Sequence, residues 1–187
     1  LQSAILLTPI FLISGRQKPK SFGLTNYSNI KSLGLAISGY ISHILISLIA
    51  TLVILFSDFQ IPGYQFKQSV LDLDLSTNLS LYLSFITVCF IGPIVEEIFF
   101  RGFLLRTLSN HYGTIIASIT SALVFSALHY PWHSFIPIFI LGLIINQTVI
   151  YSKSLKPAIL LHVLNNSIAF YITKLIHDGA ISLDKIV

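Results

Sequence analysis

The chain has 187 residues, of which 54% are hydrophobic and only 10% charged, with a mean hydropathy of +0.83. A soluble globular domain carries about 25% charged residues, so the composition excludes a water-soluble enzyme and points to a membrane protein. The net charge of +4 is spread over several connections instead of one face, which argues against nucleic-acid binding.

Leu1 to Ser14 is apolar but short for a span, and in a chain without methionine it reads as the remainder of a truncated first helix. Arg16 to Lys31 is polar and basic and contains Pro19, Gly23 and Asn26, which predicts a loop. Leu33 to Ser57 is a long uncharged apolar run and the clearest spanning helix. Asp58 to Asn78 carries three aspartates and an Ile61-Pro62-Gly63 turn signal, as expected of a connection. Leu79 to Leu108 is apolar around Gly92-Pro93, where proline either begins a new helix or kinks one continuous helix.

Three further spans are predicted at Gly113 to His129, Ser134 to Tyr151 and Pro157 to about Leu175. Tyr130, Trp132 and His133 suit an interfacial belt, and Ser152 to Lys156 is a short basic connection. The expected fold is an all-α, polytopic integral membrane helical bundle of about six spans, forming one membrane domain over residues 1–187. With six alternating spans, Arg16, Lys18, Lys20, Lys31, Arg106, Lys153 and Lys156 fall on one side, and the positive-inside rule makes that side cytoplasmic. The lone Cys89 can form no internal disulfide and tells nothing of compartment.

Charged groups inside these runs need a reason, because an ionised side chain at a bilayer centre costs roughly 2.5–3.5 kcal/mol on insertion scales. Pro93-Ile-Val-Glu96-Glu97-Ile-Phe-Phe-Arg101 holds three of them. Glu97 and Arg101 are four apart and share a helical face with the acid N-terminal, so they are expected to pair. Glu96 lies about 100° round the helix and stays available for other work. Phe125/His129 and His162/Asn166 are two further i,i+4 pairs inside spans. Unpaired polar groups there cost several kcal/mol, and the economical arrangement is one shared, water-containing pocket. One tension is visible: measured from span ends, His162 and His129 differ in depth by roughly 10 Å.

EExxxR, FxxxH and HxxxN, in that order on successive membrane helices, resemble the CPBP intramembrane endopeptidases, the family (also called Abi) that includes the type II CAAX prenyl proteases. The resemblance covers residues 79–175 and carries over to Glu96, Glu97, Arg101, Phe125, His129, His162 and Asn166. It implies hydrolysis of a peptide bond within or at the edge of the membrane, with CAAX-type C-terminal processing as one candidate reaction. Glu96 and His129 would activate a water, and Asn166 with His162 would donate to the developing oxyanion. Glu97 with Arg101 would orient Glu96, and Phe125 would pack beneath the site. The partners so implied are a protein or peptide substrate, prenylated or not, and the lipid bilayer.

Rival readings differ in the residues they require. A catalytic zinc set of two histidines and a glutamate is conceivable, but there is no His-Glu-x-x-His and Arg101 disfavours a cation, so neither metal nor cofactor is expected. A scaffold, bacteriocin-immunity or regulatory protein of the same fold would have no need of Glu96, His129, His162 and Asn166 at these spacings. A proton-relay transporter would place polar groups on more spans, whereas Leu33 to Ser57 offers only His43 and hydroxyls. Singly, each histidine reads as a helix-to-helix hydrogen-bonding group, and His43, His111, His133, His177 and Asn165 are assigned to structure or solvation.

Overall fold

A computed structural model of the chain describes residues 27–57, 73, 75–129 and 134–181. These form five helices and no strand: α1 (Asn29–Phe56), α2 (Asn78–Tyr112), α3 (Thr114–Ala127), α4 (Phe135–Ser152) and α5 (Lys156–His177). The helices α1, α2, α4 and α5 are long and apolar enough to cross a membrane, and the chain is an all-helical integral membrane protein. The expected first span at Leu1 to Ser14, most of the Asp58 to Asn78 connection and the Tyr130-Trp132-His133 belt lie outside the described residues.

Two expectations are corrected. The helix expected to begin at Leu33 begins at Asn29, so Lys31 is helical. The span expected over Gly113 to His129 is a helix of only 14 residues. At 1.5 Å per residue it is about 21 Å long, short of the roughly 30 Å hydrocarbon core. It ends where Leu128 turns and the His129 N–H donates to Ser126 O at 3.0 Å, while Ser126 Oγ donates to Phe135 O at 2.5 Å. Polar groups thus tie the end of α3 to the start of α4.

The long helix α2 resolves the ambiguity at Gly92-Pro93 in favour of one continuous helix. Its buried row is Cys89, Pro93, Glu97, Arg101 and Leu105, a strict i+4 repeat. In a pure α-helix such a row drifts by roughly 40° per step. Wider π-helical turns at Thr87–Ile91 and Ile98–Leu105 take up the drift and keep the row facing inward. Proline is accommodated in the same way. The Gly92 N–H bonds to Thr87 O, and Pro93 has no N–H, so the Val88 carbonyl loses its usual backbone donors. Asn166 Nδ2 of α5 donates to it at 2.9 Å.

The helices pack through small residues, with α1 lying against α4 and α5. On α1 the inward positions are Ser32, Ala36, Gly39 and His43, whereas Ile37, Ile41, Leu45 and Leu52 are exposed, as on a lipid-facing surface. A Cβ on Gly39 would lie 2.3 Å from Leu161 Cδ1, so α1 and α5 approach closely there. Lys156 Nζ donates to Tyr27 O at 3.4 Å and to Asn29 Oδ1 at 3.5 Å, which brings the starts of α1 and α5 to the same end of the bundle. Tight packing is clearest where α3 meets α4. A Cβ on Gly142 would stand 3.2 Å from Ala122 Cβ and 3.3 Å from its Cα. Gly142→Leu is therefore expected to destabilise the bundle by about 1–3 kcal/mol, the usual cost of overpacking. An unchanged unfolding midpoint in detergent would show that the two helices do not meet there.

Candidate active site

The site is built on α2, where Glu97 and Arg101 are buried on the inward row. Arg101 Nη1 donates to Glu97 Oε1 at 2.9 Å, the pairing expected from their spacing. Two more guanidinium nitrogens are held by α4, Nε by Asn146 Oδ1 at 2.9 Å and Nη2 by the Gly142 carbonyl at 3.2 Å. The Phe125 ring covers the cation, with Arg101 Cζ 4.5 Å from its centroid. A buried arginine is tolerable only with this completeness of partners, because each unpaired ion in the interior costs several kcal/mol.

Glu97 Oε1 accepts a second hydrogen bond, from His162 Nδ1 of α5 at 2.8 Å. The ion pair is thus linked to His162 and makes no bond to Glu96, the residue it was expected to orient. A carboxylate that already accepts from arginine can only accept, so His162 carries its proton on Nδ1 and presents the Nε2 lone pair on the other side of the ring. That Nε2 lies 3.8 Å from Glu96 Oε2.

His129 reaches the same oxygen from just past the end of α3, with Nε2 3.5 Å from Glu96 Oε2. Its Nδ1 stands 2.6 Å from the Phe125 carbonyl, which can only accept, so this ring too holds a proton on Nδ1 and turns Nε2 toward the glutamate. The depth mismatch expected between the two histidines is absent. Glu96 lies 17 residues before Gly113 and His129 lies 16 after it, so the hairpin of α2 and α3 brings them level. Gly113, with φ of 80°, makes the reversal in a conformation that other residues adopt only with strain. Phe125 supports both rings, with centroids 4.4 Å from His129 and 5.7 Å from His162.

Glu96, His129 and His162 therefore converge. The Nε2 atoms of His129 and His162 both face Glu96 Oε2, a buried oxygen that has no hydrogen-bond partner. The side chains of Glu96 and His129 keep 16% and 29% of their surface exposed against 0% for Glu97, although Glu96 Oε2 itself is buried. Asn166 does not join them by hydrogen bonds. Its Nδ2 is held by Val88 O and its Oδ1 accepts from Asn165 Nδ2 at 3.2 Å. His43 lies apart on α1, with Nδ1 3.3 Å from Ser47 Oγ. Among the described residues no group of three or more His, Cys, Asp or Glu is arranged to hold a metal ion.

Residues 78–168 match the model of a family described as type II CAAX prenyl endopeptidase Rce1-like. That match places this segment in the CPBP family. It covers all three motifs, EExxxR, FxxxH and HxxxN. No curated protein and no solved structure matches the chain. At the level of the family, the CPBP segment supports a protease-like function with a peptide substrate in a membrane setting.

One buried residue of the cluster, Asn146, was not singled out from the sequence. Its signal was a lone amide facing inward from an apolar span, hidden because Gln147 beside it is also polar and is exposed. The completeness of the arginine's shell makes a prediction. Arg101→Ala would leave Glu97 buried with only His162 as partner, and breaking a buried pair typically costs about 3–5 kcal/mol. The yield of folded protein should fall sharply, and unchanged thermal stability in detergent would contradict the buried pair.

Proposed function

We propose that the chain is an intramembrane endopeptidase that hydrolyses a peptide bond with a water activated by Glu96. The observation that carries this reading is the convergence of His129 Nε2 and His162 Nε2 on Glu96 Oε2, a buried oxygen with no hydrogen-bond partner. With the neutral rings protonated on Nδ1, the three atoms form a set of acceptors. Water supplies two protons to such a set and keeps its own lone pairs for a carbonyl carbon. Glu96 takes one proton as the water oxygen attacks, and later returns it to the leaving amine. His129, the more exposed ring, holds the second proton of the attacking water through its Nε2. The hydroxyl of water thus joins the carbonyl carbon and the proton joins the nitrogen.

Asn166 has one amide hydrogen beyond the one given to Val88 O, and in this reading that hydrogen is offered to the oxyanion. The Rce1-like match favours a peptide with a C-terminal CAAX sequence and a prenylated cysteine as the first substrate to try.

Glu96→Gln keeps the shape and removes the base, so cleavage of such a peptide by the full chain should fall by about 100-fold or more with folded yield unchanged. Retained activity would remove Glu96 from the mechanism. Chelators should leave the rate as it is, whereas a loss restored by zinc would transfer water activation to a metal held by the histidines.

A further inference from the structure

We propose that Asn146 is a positioning residue that fixes the tautomer and aim of His162 through Arg101 and Glu97. Its consequence for catalysis rests on the protease reading above, whereas the hydrogen-bond relay itself does not. Asn146 is fully buried on α4, and its amide is fixed in one orientation by its neighbours. The Ser118 carbonyl on α3 can only accept, and it takes Nδ2 at 2.9 Å, with Ser118 Oγ at 3.3 Å. Arginine can only donate, so Oδ1 faces Arg101 Nε at 2.9 Å. The bonds link four helices: Asn146 donates to α3, Arg101 donates both to Asn146 and to Glu97, and the same Glu97 oxygen receives His162 Nδ1.

A second observation says what Asn146 prevents. Glu97 Oε2 is buried and has no hydrogen-bond partner, while Arg101 uses only Nη1 on this carboxylate. Arginine and carboxylate prefer a two-pronged fork that engages both oxygens. Asn146 and Gly142, one helical turn apart on α4, hold Nε and Nη2 away from that fork and leave the pair single-pronged. Without the Asn146 oxygen, Nε loses its partner and only the Gly142 carbonyl holds the guanidinium to α4, so the guanidinium can turn and carry the Glu97 carboxylate away from His162. The imidazole then loses the acceptor that keeps its proton on Nδ1, and Nε2 no longer presents a lone pair toward Glu96.

The test uses the full chain in detergent with its histidines labelled with 15N, reading the His162 ring nitrogens, together with cleavage of a farnesylated CAAX peptide. In the wild type, His162 should show a protonated Nδ1 and a bare Nε2. In Asn146→Leu the Nε2–H form should appear, and kcat should fall by about 100-fold through misplacement while KM stays within about twofold. Asn146→Asp keeps an oxygen for Arg101 Nε and loses the donor to Ser118, so it should retain the Nδ1–H form and most of kcat. An unchanged His162 spectrum in Asn146→Leu overturns the proposal. Loss of the Nδ1–H form in Asn146→Asp also overturns it, because the residue would then act only by pinning α3 to α4, and this arm stands even if Asn146→Leu fails to fold. If the spectra behave as stated but the wild type cleaves no peptide, the relay stands and the protease reading falls.

Discussion

A buried guanidinium constrains most of what surrounds it. Arg101 lies in a helix that crosses an apolar bundle, where an isolated cation would cost several kcal/mol even after relaxation. The chain meets that constraint with one carboxylate on the same helix, an amide and a carbonyl from α4 and an aromatic face from α3. Those partners bring α3 and α4 against α2 at one level. The carboxylate that neutralises the arginine also accepts the hydrogen bond from His162 Nδ1, so charge compensation and the aim of a histidine are set by one oxygen atom.

Two adjacent glutamates thereby acquire different lives. Glu97 sits on the inward i+4 row and is consumed by internal bonds, whereas Glu96, about 100° away, faces two imidazole lone pairs and retains some exposure. The π-helical turns on either side of them hold the row in register, and one of them also absorbs Pro93. Asn166 repairs the carbonyl left by that proline, a structural duty that the HxxxN motif does not reveal.

Much of this was legible in the sequence, for reasons that can be stated residue by residue. The Glu97–Arg101 pair follows from i,i+4 spacing, and the membrane setting follows from composition. The placing of His129 level with His162 was obscured by measuring depth from the ends of apolar runs. Counting from the reversal at Gly113 places His129 level with Glu96, and both histidines face Glu96 Oε2. Asn146 escaped notice since it stands beside the exposed Gln147 and forms no i,i+4 pair with a chemistry-bearing residue, and its partner Arg101 is 45 residues away. The π-helical turns have no residue signature of their own beyond the strict fourfold repeat of buried positions.

The central claim is that the site delivers water to a peptide carbonyl. Cleavage of a farnesylated CAAX peptide by the intact chain in water enriched in heavy oxygen tests it most directly, with the mass of the released fragments as readout. The account predicts one heavy oxygen in the new carboxyl terminus and none in the new amine. Fragments formed without the label, or no fragments at all from the folded chain, would contradict it.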